Sequence, residues 1–223
     1  MDDTLRAELL ARADADSTAV AAFLAAADNW RTTFEARSET PWPYVLLEWT
    51  PAGSAPTPVR RVLEVVHDNV QWLRGVVETR GWPGKSLVGE DGVDAAWLLL
   101  QHAGSGVPSI GTPENLRFQA SCLPLLRASV DTGESHPRHL AHVADNLRQR
   151  AGEKPVYAAF ATAFVTDNDE LVLRPDLEAA AIDAERREIG LQALVDDLAL
   201  RRAGTPPDAW GEDRPEPWPG GRR

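Results

Sequence analysis

Five polar residues of the 223-residue chain, Asn69, Asp91, Gln101, His102 and Asp145, stand on or beside segments whose neighbours are strongly apolar. Polar side chains converging in such surroundings would make a pocket for acid–base work. His102 would shuttle a proton near neutral pH, Asp145 or Asp91 would orient its ring, and Asn69 would hold a substrate carbonyl. A plainer reading stands beside this one. His102 would satisfy buried carbonyls at a helix end, Asp91 would suit the dipole of a first turn, and Asp145 would pair with an arginine.

Two further groups invite chemistry. In HPRHLAH, His136, His139 and His142 step by three, and His139 and His142 are neighbours on a helix. A metal would need at least one more ligand, and the segment lacks the glutamate of a zinc-protease helix, so no metal is assigned. Among the 8 tryptophans, Trp72, Trp82 and Trp97 sit where a helical core wants large residues, and Trp82 and Trp97 with Gln101 would also flank a ligand beside His102. Trp42 and Trp49 lie in a proline-rich stretch, where they would wall a ligand or partner or else pin the loop down.

Other motifs fall short. Gly84-Lys85-Ser86 lacks the leading glycine of a phosphate-cradling loop, Thr79 and Arg80 standing there instead, and no strand precedes it. No Gly-x-Ser-x-Gly elbow occurs, and Cys122 lies among apolar residues that suit packing better than a nucleophile. No cofactor is expected.

The elements that must position these residues are helices. Leu5, Leu9, Leu10, Val20, Phe23 and Leu24 keep helical spacing, with a break expected near Asp16 and Ser17, where a cap would start a second helix. Residues 38–58 carry five prolines and read as an inserted loop with one short edge strand. From Pro58 a helix places Val59, Val62, Leu63, Val66, Val70, Leu73 and Val77 on one stripe, with Asn69 inside it and His67 at its wet edge. A Gly-Trp-Pro turn follows, then a helix apolar all round from Ala95 to Leu100. Thr112 and Pro113 open the next, which Pro124 should kink or divide. Ser135 or His136 caps another, with Leu140, Val143 and Leu147 facing inward. Two apolar runs around Asp167-Asn168-Asp169 favour a small hairpin over residues 155–174, though the alanines leave a helix open for the first run, and a charged helix should fill residues 176–202. The tail, residues 204–223, is rich in Pro and Gly and reads as disordered.

The fold class expected is therefore mainly α, a multi-helix single domain over residues 1–203 with one small β-hairpin and a disordered tail. A net charge of −11 without any basic patch argues against nucleic-acid and anionic-membrane partners. One cysteine, no signal-peptide pattern and no run of membrane-spanning length suggest a soluble cytoplasmic protein.

The segment GWPGKSLVGEDGVDAAWLLLQHA resembles an uncharacterised bacterial family, domain-of-unknown-function family 6624. The likeness rests on Leu5 to Leu10, Asn69, Gly81 to Pro83, Leu87 to Gly92 and Ala95 to Ala103. It continues through Phe118-Gln119, Cys122 to Leu126 and Asp145 to Glu185-Arg186-Arg187 and Gly190-Leu191. Many members carry Tyr-Gly-Thr-Gln where this chain has Tyr157-Ala158-Ala159-Phe160, so a polar group the family offers is missing here, and the segment 30–58 is longer and richer in proline. The family implies no known reaction. The leading expectation is a small-molecule or peptide binding or interaction module. The alternative is an acid–base hydrolase, lyase or isomerase built on His102 and an aspartate, with His139 and His142 recruited in any metal-assisted version.

Overall fold

A computed structural model describes residues 1–27, 57–104, 110–168 and 170–203. Trp42, Trp49, nearly all of the proline-rich insertion and the tail lie outside the described residues. The described chain divides into two compact units, one ending at Cys122 and one beginning at Leu123. It is mainly α, with one two-stranded antiparallel hairpin, the class its patterning implies.

In the first unit, α1 (Asp3–Ala27), α2 (Thr57–Arg80) and α3 (Lys85–Ala103) pack on one another. Helix α1 starts where the Asp2 carboxylate accepts the Leu5 N–H at 3.0 Å. It then runs unbroken through Asp16 and Ser17, against the expected break. The reason is where the Asp16 side chain goes. Asp16 lies on the same stripe as Leu5, Leu9, Ala19 and Phe23, all buried, and finds its partners on other helices instead of capping its own.

Helix α2 buries Val59, Val62, Val66, Val70 and Leu73 of the expected stripe, with Asn69 among them, leaves Leu63 and Val77 half-buried, and exposes His67. In α3 the backbone leaves helical geometry at Gly89, where φ is +76°. A Cβ there would adopt a left-handed conformation and stand 3.1 Å from Asp91 Oδ1, so glycine is what the kink requires. Beyond the kink Ala95, Ala96, Trp97, Leu99 and Leu100 are all buried, as an all-round apolar sequence implies. Helix α4 (Pro113–Asp131) is capped by Thr112, whose hydroxyl accepts the Asn115 N–H at 3.2 Å, and continues through Pro124 without dividing.

In the second unit, His136 caps α5 (Pro137–Arg150) by accepting the Arg138 N–H on its side chain. Leu140 and Val143 are buried as the pattern requires. The first apolar run after it is no strand, however: residues 155–160 form an irregular loop, followed by a single turn of 3-10 helix over Ala161–Ala163. The hairpin is confined to β1 (Phe164–Asp167) and β2 (Glu170–Leu173), with Phe164 opposite Leu173 and Asp167 opposite Glu170. The charged segment after it forms two helices, α6 (Ala179–Glu188) and α7 (Leu194–Arg202), where one was expected. Gly190, at φ +76°, ends α6, and the Leu191 N–H returns to the Arg186 carbonyl at 2.9 Å. Ala158, Ala163, Phe164, Ile182 and Leu194 form the core beneath these elements.

His142 in α5 gives this unit a pH dependence. Its ring is buried and lies 4.7 Å from that of Phe160. Burial, then the charges of Arg201, His139 and Arg138, hold its pKa well below the usual imidazole value of 6.5. The folded chain thus keeps His142 neutral while the unfolded chain protonates it, so stability is whole above about pH 6.5 and falls below it, by up to about 1.4 kcal/mol per pH unit. Denaturant midpoints between pH 7 and pH 5 should show this slope in the wild type and a flatter one in His142→Leu. Equal slopes would exclude the effect.

Candidate acid–base site

The site is assembled from one polar residue on each of α1, α2 and α3, buried on the first two and half-buried on the third. On α1 and α2 the helical repeat that carries apolar residues inward also carries Asp16 and Asn69 inward, leaving them 0 % and 3 % exposed. On α3 it brings His102 to the last turn, with its side chain 26 % exposed.

Asp16 Oδ1 lies 2.5 Å from His102 Nδ1, and Asp16 Oδ2 accepts from Asn69 Nδ2 at 3.1 Å. A carboxylate only accepts, so in neutral His102 the proton sits on Nδ1 and the basic lone pair on Nε2. A buried carboxylate facing an imidazole orients the ring and stabilises the imidazolium that forms when Nε2 takes a proton. Asn69 extends the network outward: its Oδ1 accepts from Arg12 Nη1 at 3.2 Å. Arg12 in turn donates to Glu8 at 2.8 Å and to Asp68 at 2.6 Å, and lies 4.6 Å over the ring of Trp72. Arg12 and Asn69 line a groove of about 380 Å³ between α1 and α2, together with Ala11, Val65, Arg61 and Glu64.

Of the residues singled out by sequence, His102 and Asn69 come together, bridged by a carboxylate that sequence reading placed at a helix break. The other two carboxylates are engaged elsewhere. Asp91 grips Arg6 with both oxygens, at 2.9 and 2.5 Å, and caps the helix after the Gly89 kink through the Gly92 N–H at 2.8 Å. The Arg6 hydrogen bond holds the Asp91 carboxyl below the usual carboxylate range. Asp145, in the second unit, accepts the N–H groups of Val156 at 2.7 Å, Tyr157 at 3.1 Å and Ala159 at 2.8 Å. Burial nevertheless outweighs these donors and raises its pKa. Its bonds fix the loop in which Ala158 takes a left-handed φ of +52°, at the position where the resembling family carries glycine.

Gln101 has its Oε1 buried, with no hydrogen-bond partner among the described residues. Trp97 is a core residue at 3 % exposure, and Trp82 is half-buried. His139 Nε2 accepts from Arg138 Nε at 3.3 Å, and among the described residues no three His, Cys, Asp or Glu side chains gather to share a metal. Cys122 is buried, and burial pushes its thiol up to about 12. Native protein should therefore resist alkylation at pH 8 and react only after denaturation, as mass spectrometry would show; rapid native labelling would contradict this packing.

Asp16 and Arg12 were the residues that sequence reasoning missed. The signal for Asp16 was present: a carboxylate on the apolar stripe of α1, the same anomaly that marks Asn69 on α2.

A family described as a family of unknown function, DUF6624, matches residues 51–205. No curated protein and no solved structure matches the chain.

Proposed function

The chain belongs to the family of unknown function DUF6624, and from that premise we propose that it is an acid–base enzyme, a hydrolase, lyase or isomerase, whose proton-transferring group is His102. The observation that carries the reading is the wholly buried Asp16 carboxylate against His102 Nδ1. His102 Nε2 would accept a proton from a substrate or an attacking water and return it to the leaving atom. Asp16 fixes the tautomer and balances the imidazolium, while Asn69 holds the second carboxylate oxygen in place. The part-exposed face of His102 is where a small substrate would meet the ring, and the single cysteine of the sequence suits a reducing cytoplasm.

Binding without chemistry is the second reading, favoured by the groove beside Asn69. The two are separated by screening the wild type against activated esters, amides, and carbon acids, with His102→Gln and His67→Gln assayed on whatever is turned over. His67 is exposed on α2 and outside the site. The acid–base reading expects turnover to fall about 10²- to 10⁴-fold in His102→Gln and to survive in His67→Gln. Turnover retained by His102→Gln would sink it, and a ligand bound in the groove but never converted would support the binding module.

A further inference from the structure

We infer that Arg12 is a positioning residue for the Asp16–His102 pair, acting through the amide of Asn69; this rests on the acid–base reading above. An asparagine amide has two orientations that exchange its oxygen and nitrogen, and the groups at its two ends decide between them. One end faces the Arg12 guanidinium, which only donates, at 3.2 Å. The other faces Asp16 Oδ2, which as a carboxylate only accepts, at 3.1 Å, with a longer contact from Nδ2 to the Arg12 carbonyl at 3.5 Å. The reverse orientation would set amide N–H against guanidinium and amide oxygen against carboxylate. Both ends therefore select the same state.

Arg12 is itself held on three sides, by Glu8, Asp68 and the face of Trp72. As ion pairs with exposed carboxylates these contacts contribute little to stability. Their consequence is geometric: a guanidinium fixed where Asn69 Oδ1 needs a donor. With Asp16 Oδ2 tied down by Asn69, Oδ1 stays on His102 Nδ1 and the imidazole is kept in one tautomer. Without Arg12, Asn69 Oδ1 becomes a buried acceptor lacking a donor, the amide turns to find one, and the carboxylate loses its fixed partner. Nothing in the spacing of Arg12 and His102 along the chain reveals this link, which runs over three helices in three hydrogen bonds.

The test is the long-range proton–nitrogen correlation of the His102 ring in the full chain, for the wild type, Arg12→Met and Arg12→Lys. Methionine keeps an apolar stem on Trp72 and removes every donor, whereas lysine keeps the charge and loses the fork. The wild type should show one tautomer with its proton on Nδ1, Arg12→Met a mixture of both, and Arg12→Lys a smaller admixture. On a substrate found in the screen, kcat for Arg12→Met should fall about 10-fold, the low end for loss of a group that orients a functional histidine, because Arg12 acts through two intermediaries, Asn69 and Asp16, with partial recovery in Arg12→Lys. A pure Nδ1–H tautomer in folded Arg12→Met, or in Arg12→Lys should the methionine variant not fold, overturns the role of Arg12. A wild-type ring protonated on Nε2 would overturn the acid–base reading itself, so the two failures are distinguishable.

Discussion

Replacing Asp16 by alanine is expected to lower folding stability by about 2–4 kcal/mol and to reduce turnover by two to four orders of magnitude. The stability figure follows from what is left behind. Asn69 Nδ2 is left with only its 3.5 Å contact to the Arg12 carbonyl, at a cost of about 1–3 kcal/mol, and the part-exposed His102 Nδ1 loses its acceptor, at about 1–1.5 kcal/mol, less about 0.5 kcal/mol regained from the better helix propensity of alanine. Asp16→Asn separates the two effects. Its Oδ1 can still accept from His102, but its amide nitrogen must then face the Asn69 amide nitrogen, and no charge remains to stabilise an imidazolium. Stability should fall less than in the alanine variant while turnover falls nearly as far. Urea denaturation and assays on one substrate check both. Near-native stability in Asp16→Ala together with full turnover would show that the carboxylate has no part in either.

Arg186→Met should be more damaging still to the fold, by about 3–5 kcal/mol, and without touching the acid–base site. The Arg186 side chain is 1 % exposed and joins three parts of the second unit: Nε donates to the Gln192 carbonyl at 2.7 Å, Nη1 to the Tyr157 carbonyl at 2.8 Å, and Nη2 lies 3.9 Å from the fully buried Asp197. Burial lowers the pKa of Arg186 and the Asp197 charge opposes this; a guanidinium keeps its proton in proteins, so the cation is buried with its charge. Its loss strands two carbonyls in the turn between α6 and α7 and in the loop held by Asp145, and takes one cation from beside the buried Asp197, which also bonds Arg201 and Gln192. Arg186→Lys should recover only part, because one ammonium cannot reach all three acceptors. Unfolding followed by far-ultraviolet circular dichroism suits the measurement, since the described residues of this unit contain no tryptophan. A loss under about 1 kcal/mol would mean that solvent replaces these bonds, against the burial observed.

Much of this architecture is legible in the sequence because helices built on apolar stripes declare themselves. Asn69 stands out by interrupting one, and the caps at Thr112 and His136 fall where side-chain chemistry places them. The misreadings share a cause. Asp16 was read by its local preference for helix starts, yet its carboxylate is claimed by partners 53 and 86 residues away, which no local rule contains. The segment 176–202 was read by composition, while a single glycine in a left-handed conformation divides it. Residues 155–160 have the apolar content of a strand, but Asp145 takes three of their N–H groups and leaves none of those three for a ladder. The pairing of His102 with an aspartate was foreseeable from residue types; which aspartate was set by the packing of α1 against α3.

The pairing of Asp16 with His102 can be read without any substrate. Proton NMR of the wild type, with histidine ring nitrogens labelled, should show a resonance well downfield of the amides, coupled to His102 Nδ1, and this resonance should move markedly upfield in Asp16→Asn, where only a neutral amide oxygen accepts. That result would place the proton between the two residues, as the acid–base account requires. A wild-type spectrum without this proton, or one that keeps it unchanged in Asp16→Asn, would contradict the account and return His102 to the role of a helix-end residue.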